Sequence, residues 1–366
     1  MPIVDQGYQH WSGRLSGHAW RWLAITRQGV RIGKRVRFLR IFLLLAWLPA
    51  ILLAVVLCLW GLVERQSAAV AALAPIFASI LGQGVLLDPH HYRVEMWTLC
   101  YHYFLSAELS ISMILVMLVG PNLISQDLRY NALPLYFSRP LRRIDYFLGK
   151  LGVIVAFIGM VIIIPAVVAY VLGMLFSLDI TIVRDTYRIL LASVAYGLLI
   201  AVSSGMLMLA LSSLSRNSRY VALFWLCIWL VSFTVSAILE QVDYQQRRSQ
   251  AWSAVQTPGV ATSRRANRQN FEEALLNDVQ AAAKSNWRPL ISYRANLARL
   301  GGQMLGTNAS VEKLAQLQPR QFGPGFIQRA MGTQYPWYWS AVVLAALFGL
   351  SVCILKLSIK SLDRLR

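Results

Sequence analysis

Charge is what this chain has least of. Only 14% of its 366 residues are Asp, Glu, Lys or Arg, against about a quarter in an ordinary soluble protein. Acids are scarcer still, 16 against 35 Lys and Arg. Cysteines number four, Cys58, Cys100, Cys227 and Cys353, and no pair of them has metal or redox spacing. They read as small apolar packing residues. Nucleotide-hydrolysing machinery is missing too. A phosphate-binding loop needs spaced glycines and then Lys followed by Ser or Thr. The two Gly-Lys pairs, Gly33-Lys34-Arg35 and Gly149-Lys150-Leu151, lack both the hydroxyl and the preceding glycine. No His-Glu-x-x-His zinc motif and no Gly-x-Ser-x-Gly nucleophile elbow occurs. The chain is therefore not expected to be an enzyme by itself, and no cofactor is expected in it.

What is present is apolar length. Hydrophobic residues make up 57% of the chain, gathered into blocks of about 20 or more, enough for a helix to cross about 30 Å of hydrocarbon. The blocks predict six transmembrane helices, over about 41–63, 104–124, 148–176, 189–211, 220–239 and 337–357. The expected fold is an all-α, polytopic membrane helix bundle. Pro49 and Pro165 fall inside the first and third blocks as candidate kinks. About forty mostly polar or basic residues precede the first block, so no cleavable signal is expected. Small residues line one face of the fourth helix at Gly197, Ala201 and Gly205, and of the third at Gly152 and Ala156, a pattern for close helix packing.

The remaining segments are polar. Residues 1–40 hold eight Lys or Arg and one acid. Trp20, Trp22, Ile25 and Phe38 alternate with Arg21, Arg27, Arg31 and Lys34, as in a helix lying in a membrane interface and touching lipid. Ala68–Leu87 is apolar but broken by Pro75 and glycines, and reads as a partly buried outer segment. Residues 240–336 form a long region before the last helix, with amphipathic stretches at Asn270–Lys284 (Phe271, Leu275, Leu276, Val279) and Trp287–Leu305. Both read as caps on the outer face. Asn308-Ala309-Ser310 has the form of a glycosylation acceptor. The cluster Tyr335, Trp337, Tyr338 and Trp339 marks a membrane boundary.

Basic residues set orientation. With the N-terminus inside, the short cytoplasmic pieces carry nineteen Lys or Arg and the short outer pieces, 64–103 and 177–188, carry four. That asymmetry places both termini in the cytoplasm, and it accounts for a net charge of +19 without nucleic acid. Two sets of side chains stand out beyond topology. Glu108 lies near the outer end of the second helix, with Ser112 one turn on and Ser106 and Ser110 beside it. An ionisable residue in a span marks a candidate substrate path; a carboxylate at the outer boundary is the plainer alternative. Asp88, His90, His91, Glu95, Cys100 and His102 offer metal-ligand chemistry, with His91 and Glu95 four apart. They support the rival reading, a membrane-embedded metal-binding protein or enzyme.

The most informative stretch is 125–150, between the second and third helices. Leu133, Tyr136 and Phe137 make a short amphipathic face, Pro140 ends it, and Arg142 and Arg143 follow. With Ser138-Arg139-Pro140-Leu141-Arg142-Arg143 after Asp127, and Gly149-Lys150 opening the next helix, it resembles the corresponding loop of ABC-2 type permeases, the membrane subunits of one class of ATP-binding cassette exporter. The six-span layout and basic N-terminus fit the same family. Two features depart from it: Asn131-Ala132 stands where many relatives have Gly-Thr, and the outer region is longer than the usual re-entrant pair. The resemblance implies two permease subunits, identical or related, above two separate ATPase subunits that hydrolyse ATP. It implies an ATPase-coupling surface at Asp127, Arg129, Tyr130, Leu133, Tyr136, Phe137, Ser138, Arg139, Pro140, Arg142 and Arg143, and location in a bacterial cell membrane. A topology reporter fused near Ser138 is expected to report the cytoplasmic side; a signal from the other side would reverse the orientation.

Overall fold

The computed structural model describes residues 20–65, 88–133, 136, 142–177, 181–255, 271, 275, 278, 281–282, 285–317 and 335–363. Among these residues every regular element is helical. Six helical stretches are long and apolar enough to cross a membrane, at Arg37–Glu64, Arg93–Arg129, Arg143–Ser177, Thr181–Leu214, Ser218–Ser253 and Trp337–Ser358. They are spans 1 to 6 below. All six coincide with an apolar block in the sequence. The segment Ala68–Leu87 lies outside the described residues, as do Leu276 and Val279.

The N-terminal helix α1 (Arg21–Arg35) precedes span 1, which is built from α2 (Arg37–Leu45) and α3 (Leu48–Glu64). Pro49 sits in the first turn of α3 rather than mid-helix, where its missing N–H costs nothing. Span 2 is α4 (Arg93–Val119) followed after Gly120 and Pro121 by α5 (Asn122–Arg129). Span 3 joins α6 (Arg143–Ile158) to α7 (Ile164–Ser177) through a π turn, Gly159–Ile163. Pro165 follows at once. It can neither donate a hydrogen bond to the preceding turn nor tolerate that turn's carbonyl close by, and the π turn reroutes the bonds there. Span 4 is α8 (Thr181–Leu214). Span 5 joins α9 (Ser218–Leu226) to α10 (Ser232–Val255) through a second π turn, Cys227–Val231. Span 6 lies in α13 (Trp337–Asp363).

Span 2 is the hub. It packs on spans 1, 3, 4 and 5, and Tyr101, Leu109 and Met113 on it are fully buried. Spans 1, 5 and 6 turn Leu44, Leu52, Leu223, Phe224, Val342 and Leu350 outward. Small residues set the closest approaches. On span 4, an added Cβ at Gly197 would meet Ile162 and Ile163, and one at Gly205 would meet Leu151, so the predicted stripe is packing against span 3. On span 3, Gly149 and Gly152 receive Ile25 and Thr26 of α1, while Gly29 and Gly33 of α1 receive Val153 and Phe157. The Thr26 hydroxyl donates to the Gly149 carbonyl at 2.9 Å. The glycines that weaken α1 as a free helix are what seat it along span 3.

The segment expected to cap the bundle is inserted into it. Arg288–Ile291 forms one 3-10 turn, and α11 (Tyr293–Leu305) follows with Ser292 capping its N-terminus. Tyr293 hydroxyl bonds Ser203 of span 4 at 2.9 Å, and its ring meets Trp225 of span 5. Trp225 in turn donates to the Met113 carbonyl of span 2. These are interior positions of three spans. Gly306, left-handed at φ 68°, turns the chain into α12 (Thr307–Leu317), which returns along α4.

One buried polar knot ties the first four spans. Arg93 Nε meets Glu64 Oε1 at 2.6 Å and Nη2 meets Oε2 at 3.4 Å. Arg93 Nη1 reaches Thr181 and Asp185 of span 4 at 3.0 and 3.3 Å, and Ser177 of span 3 donates to Glu64 at 2.8 Å. The Arg93 and Glu64 side chains are 3% and 1% exposed. Removing one partner of such a pair strands the other charge, at a cost of about 3–5 kcal/mol. Arg93→Met should lower thermal stability by that order, and Arg93→Met with Glu64→Leu should recover most of it; additive losses in a double-mutant cycle would refute the pairing.

Candidate functional site

The connection between spans 2 and 3 is built from its two ends. At the close of α5, the chain caps itself: Ala132 N–H donates to the Asp127 carbonyl at 2.9 Å across Asn131, whose φ is 49°. That left-handed geometry is the cap usually supplied by glycine and, next to it, by asparagine. Asn131 thus closes the helix in a backbone shape that glycine adopts most easily.

Asp127 and Lys150, one from each flanking span, meet. Lys150 Nζ lies 2.7 Å from Asp127 Oδ2, and the Tyr146 hydroxyl donates to the same oxygen at 2.6 Å. The Lys150 ammonium also faces the rings of Tyr136 and Tyr146 at 5.9 and 5.4 Å, a cation–π arrangement. The two tyrosine rings are 5.3 Å apart. Burial, and after it the negative charge of Asp127, push the Tyr136 phenol above its ordinary value. Arg142 opens α6, its N–H donating to the Asp145 carboxylate. A carboxylate, an ammonium and two phenols therefore clamp the start and finish of the connection together.

Of the residues expected at a coupling surface, Leu133 is buried and Tyr136 half-buried, holding the connection down. Arg129, Tyr130, Arg142 and Arg143 are exposed, as is Ile144; the Arg129 guanidinium lies over the Tyr130 ring at 5.8 Å. Phe137, Ser138, Arg139 and Pro140 lie outside the described residues. Tyr146 and Lys150 complete the clamp and were not singled out from sequence as site residues. Their signal was a lone cation inside an apolar run, which needs a partner.

Glu108 is not at a helix end. Span 2 begins at Arg93, so Glu108 lies about 22 Å along it. Its carboxylate and the Ser112 hydroxyl are fully buried, and none of their oxygens has a hydrogen-bond partner among the described residues. Tyr101 donates to the Ala166 carbonyl of span 3; one and a half to two turns on, antiparallel packing brings Glu108 level with the π turn at Gly159–Ile163. Ser110, on another face, accepts from Arg294 of α11 at 3.2 Å.

The His/Glu set does not converge. His90 Nδ1 meets Arg93 Nη2 at 2.9 Å, Glu95 pairs with Lys313, His102 meets Thr307, and Asp88 accepts from the His91 backbone. Among the described residues no group of three or more His, Cys, Asp or Glu is placed to hold a metal ion. Compared with models of known families, with curated proteins and with solved structures, the chain matches none.

The Asn131 cap yields a direct test. Asn131→Gly should leave stability unchanged or raise it slightly, whereas Asn131→Val should cost about 1–2 kcal/mol, read by thermal unfolding in detergent. Equal loss in both variants would remove the left-handed cap from the account.

Proposed function

We propose that this chain is the permease subunit of an ABC-2 type ATP-binding cassette transporter, a multi-pass protein of a bacterial cell membrane with both termini in the cytoplasm. The observation that carries the reading is the Asp127–Lys150–Tyr146 clamp. It joins two elements of the motif that resembles the family, and it makes the connection a stiff lever rather than a loose loop. Outside the clamp, Arg129, Tyr130, Arg142, Arg143 and Ile144 are exposed, an aromatic and cationic surface suited to a groove on a soluble partner. Six apolar spans and the Lys/Arg asymmetry support the membrane setting.

On this reading the clamped connection faces the cytoplasm and docks on an ATPase subunit that binds and hydrolyses ATP. Closure of two ATPase subunits pushes the lever, and spans 2 and 3 move as one because Asp127 and Lys150 lock their ends. A second permease subunit covers part of the outward apolar surface of the bundle. Helix α1 keeps Trp20, Leu23, Arg27, Arg31 and Lys34 exposed, a set that fits lipid headgroups. Glu108 and Ser112, buried midway along span 2 without hydrogen-bond partners among the described residues, are polar groups this bundle offers to a substrate path.

Two measurements test the reading. A soluble ATPase should copurify with the chain from native membranes under gentle extraction. Phe137→Ala with Arg139→Ala should lower permease-stimulated ATP hydrolysis and transport by about tenfold or more, equivalent to about 1.4 kcal/mol of docking energy, with thermal stability intact. Full coupling in that double variant would remove the lever from the mechanism.

A further inference from the structure

A second site lies at the opposite end of the bundle. A cleft of about 550 Å³ opens between α4, α8, α11 and α12, a volume in the range of small-molecule sites. Its floor carries Glu95. That residue is 4% exposed, yet among the described residues its carboxylate has one partner: Oε1 receives the Lys313 ammonium at 2.5 Å. The other oxygen, Oε2, is buried and has no hydrogen-bond partner among the described residues.

The asymmetry of this pair is informative. The carboxylate is almost wholly enclosed, while the Lys313 side chain is 59% exposed. Lys313 reaches in from the rim of the cleft and places an ammonium on a carboxylate fixed in its floor. The site is thus already shaped to receive a primary ammonium, at Glu95 Oε1. An enclosed carboxylate gains more from a charged donor than an exposed one does, so a ligand ammonium competes with Lys313 for the same oxygen. The rest of the cleft shows what such an ammonium would be attached to. Ile189, Met304 and Leu305 supply apolar wall, Thr98, Gln303 and Ser310 supply hydrogen-bonding groups, and Arg188 and Glu312 add one charge of each sign at the lining. That mixture matches an amide backbone with apolar side chains better than a plain hydrocarbon amine. Asp185, beside it, is committed to Arg93, so it adds negative potential without closing the site.

We propose that this cleft binds the free amino terminus of a short apolar peptide, with Glu95 as counter-ion and Lys313 as an internal competitor that the ligand displaces. No ATPase is needed for this binding, so its failure leaves the proposed permease role standing, and the reverse also holds.

The test is calorimetric titration of the detergent-purified full chain with leucyl-leucinamide and with its N-acetylated form. The free amine should bind saturably, and acetylation should weaken binding by about tenfold or more, since it removes the charged donor. Lys313→Met should tighten binding of the free amine, because the competitor is gone, and Glu95→Gln should abolish it. Equal binding of the two peptides, absence of binding by the free amine, or weaker binding in Lys313→Met would each overturn the proposal. The lysine is exposed, so that variant decides the matter even where Glu95→Gln does not fold.

Discussion

A guanidinium withdrawn from water has to be surrounded by acceptors, and meeting that demand for Arg93 sets the level of four helices. Glu64, Ser177, Thr181 and Asp185 come from spans 1, 3 and 4. Each can reach the knot only if its helix sits at one particular height. Apolar side chains do not supply such a constraint, because Leu against Leu is nearly as good one turn higher. The polar knot therefore fixes register, and the glycines on span 3 and α1 then decide how closely the helices approach. Buried ion pairs are weak as sources of stability but well suited to choosing one arrangement among several.

The same logic operates at the other end with a different outcome. Asp127 and Lys150 belong to consecutive spans, so their contact shortens a loop instead of aligning a bundle. The two knots act on span 2 from both sides, Arg93 at its start and Asp127 near its finish. Midway between them lie Glu108 and Ser112, whose side-chain oxygens have no hydrogen-bond partner among the described residues. A helix held at both ends and unsatisfied in the middle is one whose interior contacts are open to change while its termini stay put.

Much of this was legible from residue order, because long apolar blocks leave few choices. The six spans were. Their limits were less so. Arg93 and Glu95 read as loop residues, and only their partners 29 and 218 positions away make them part of a helix; no local pattern encodes a partner that distant. The same ignorance put Glu108 near the end of its helix, when the helix begins fifteen residues earlier at Arg93. Trp287–Leu305 was recognisable as amphipathic, but amphipathicity does not say which apolar surface is met. Its Tyr293 and Gly301 fit against Ser203 and Tyr196 of span 4, an insertion rather than a cover. Asn131 was legible only as a departure from a motif; that it takes a left-handed φ of 49° and closes a helix is a backbone fact that residue type alone does not give.

The π turns carry a mechanical consequence. Each winds one extra residue into its helix, so the side chains above it are out of phase with those below by about 100°. Below Gly159, span 3 presents Gly149 and Gly152 to α1; above Ile163 it presents Ala166 and Gly173 to Tyr101, Trp97 and Leu57. The small residues at its base and those at its top are therefore aimed at different neighbours. Span 3 is built like a crankshaft with an offset throw, its two halves set against different neighbours.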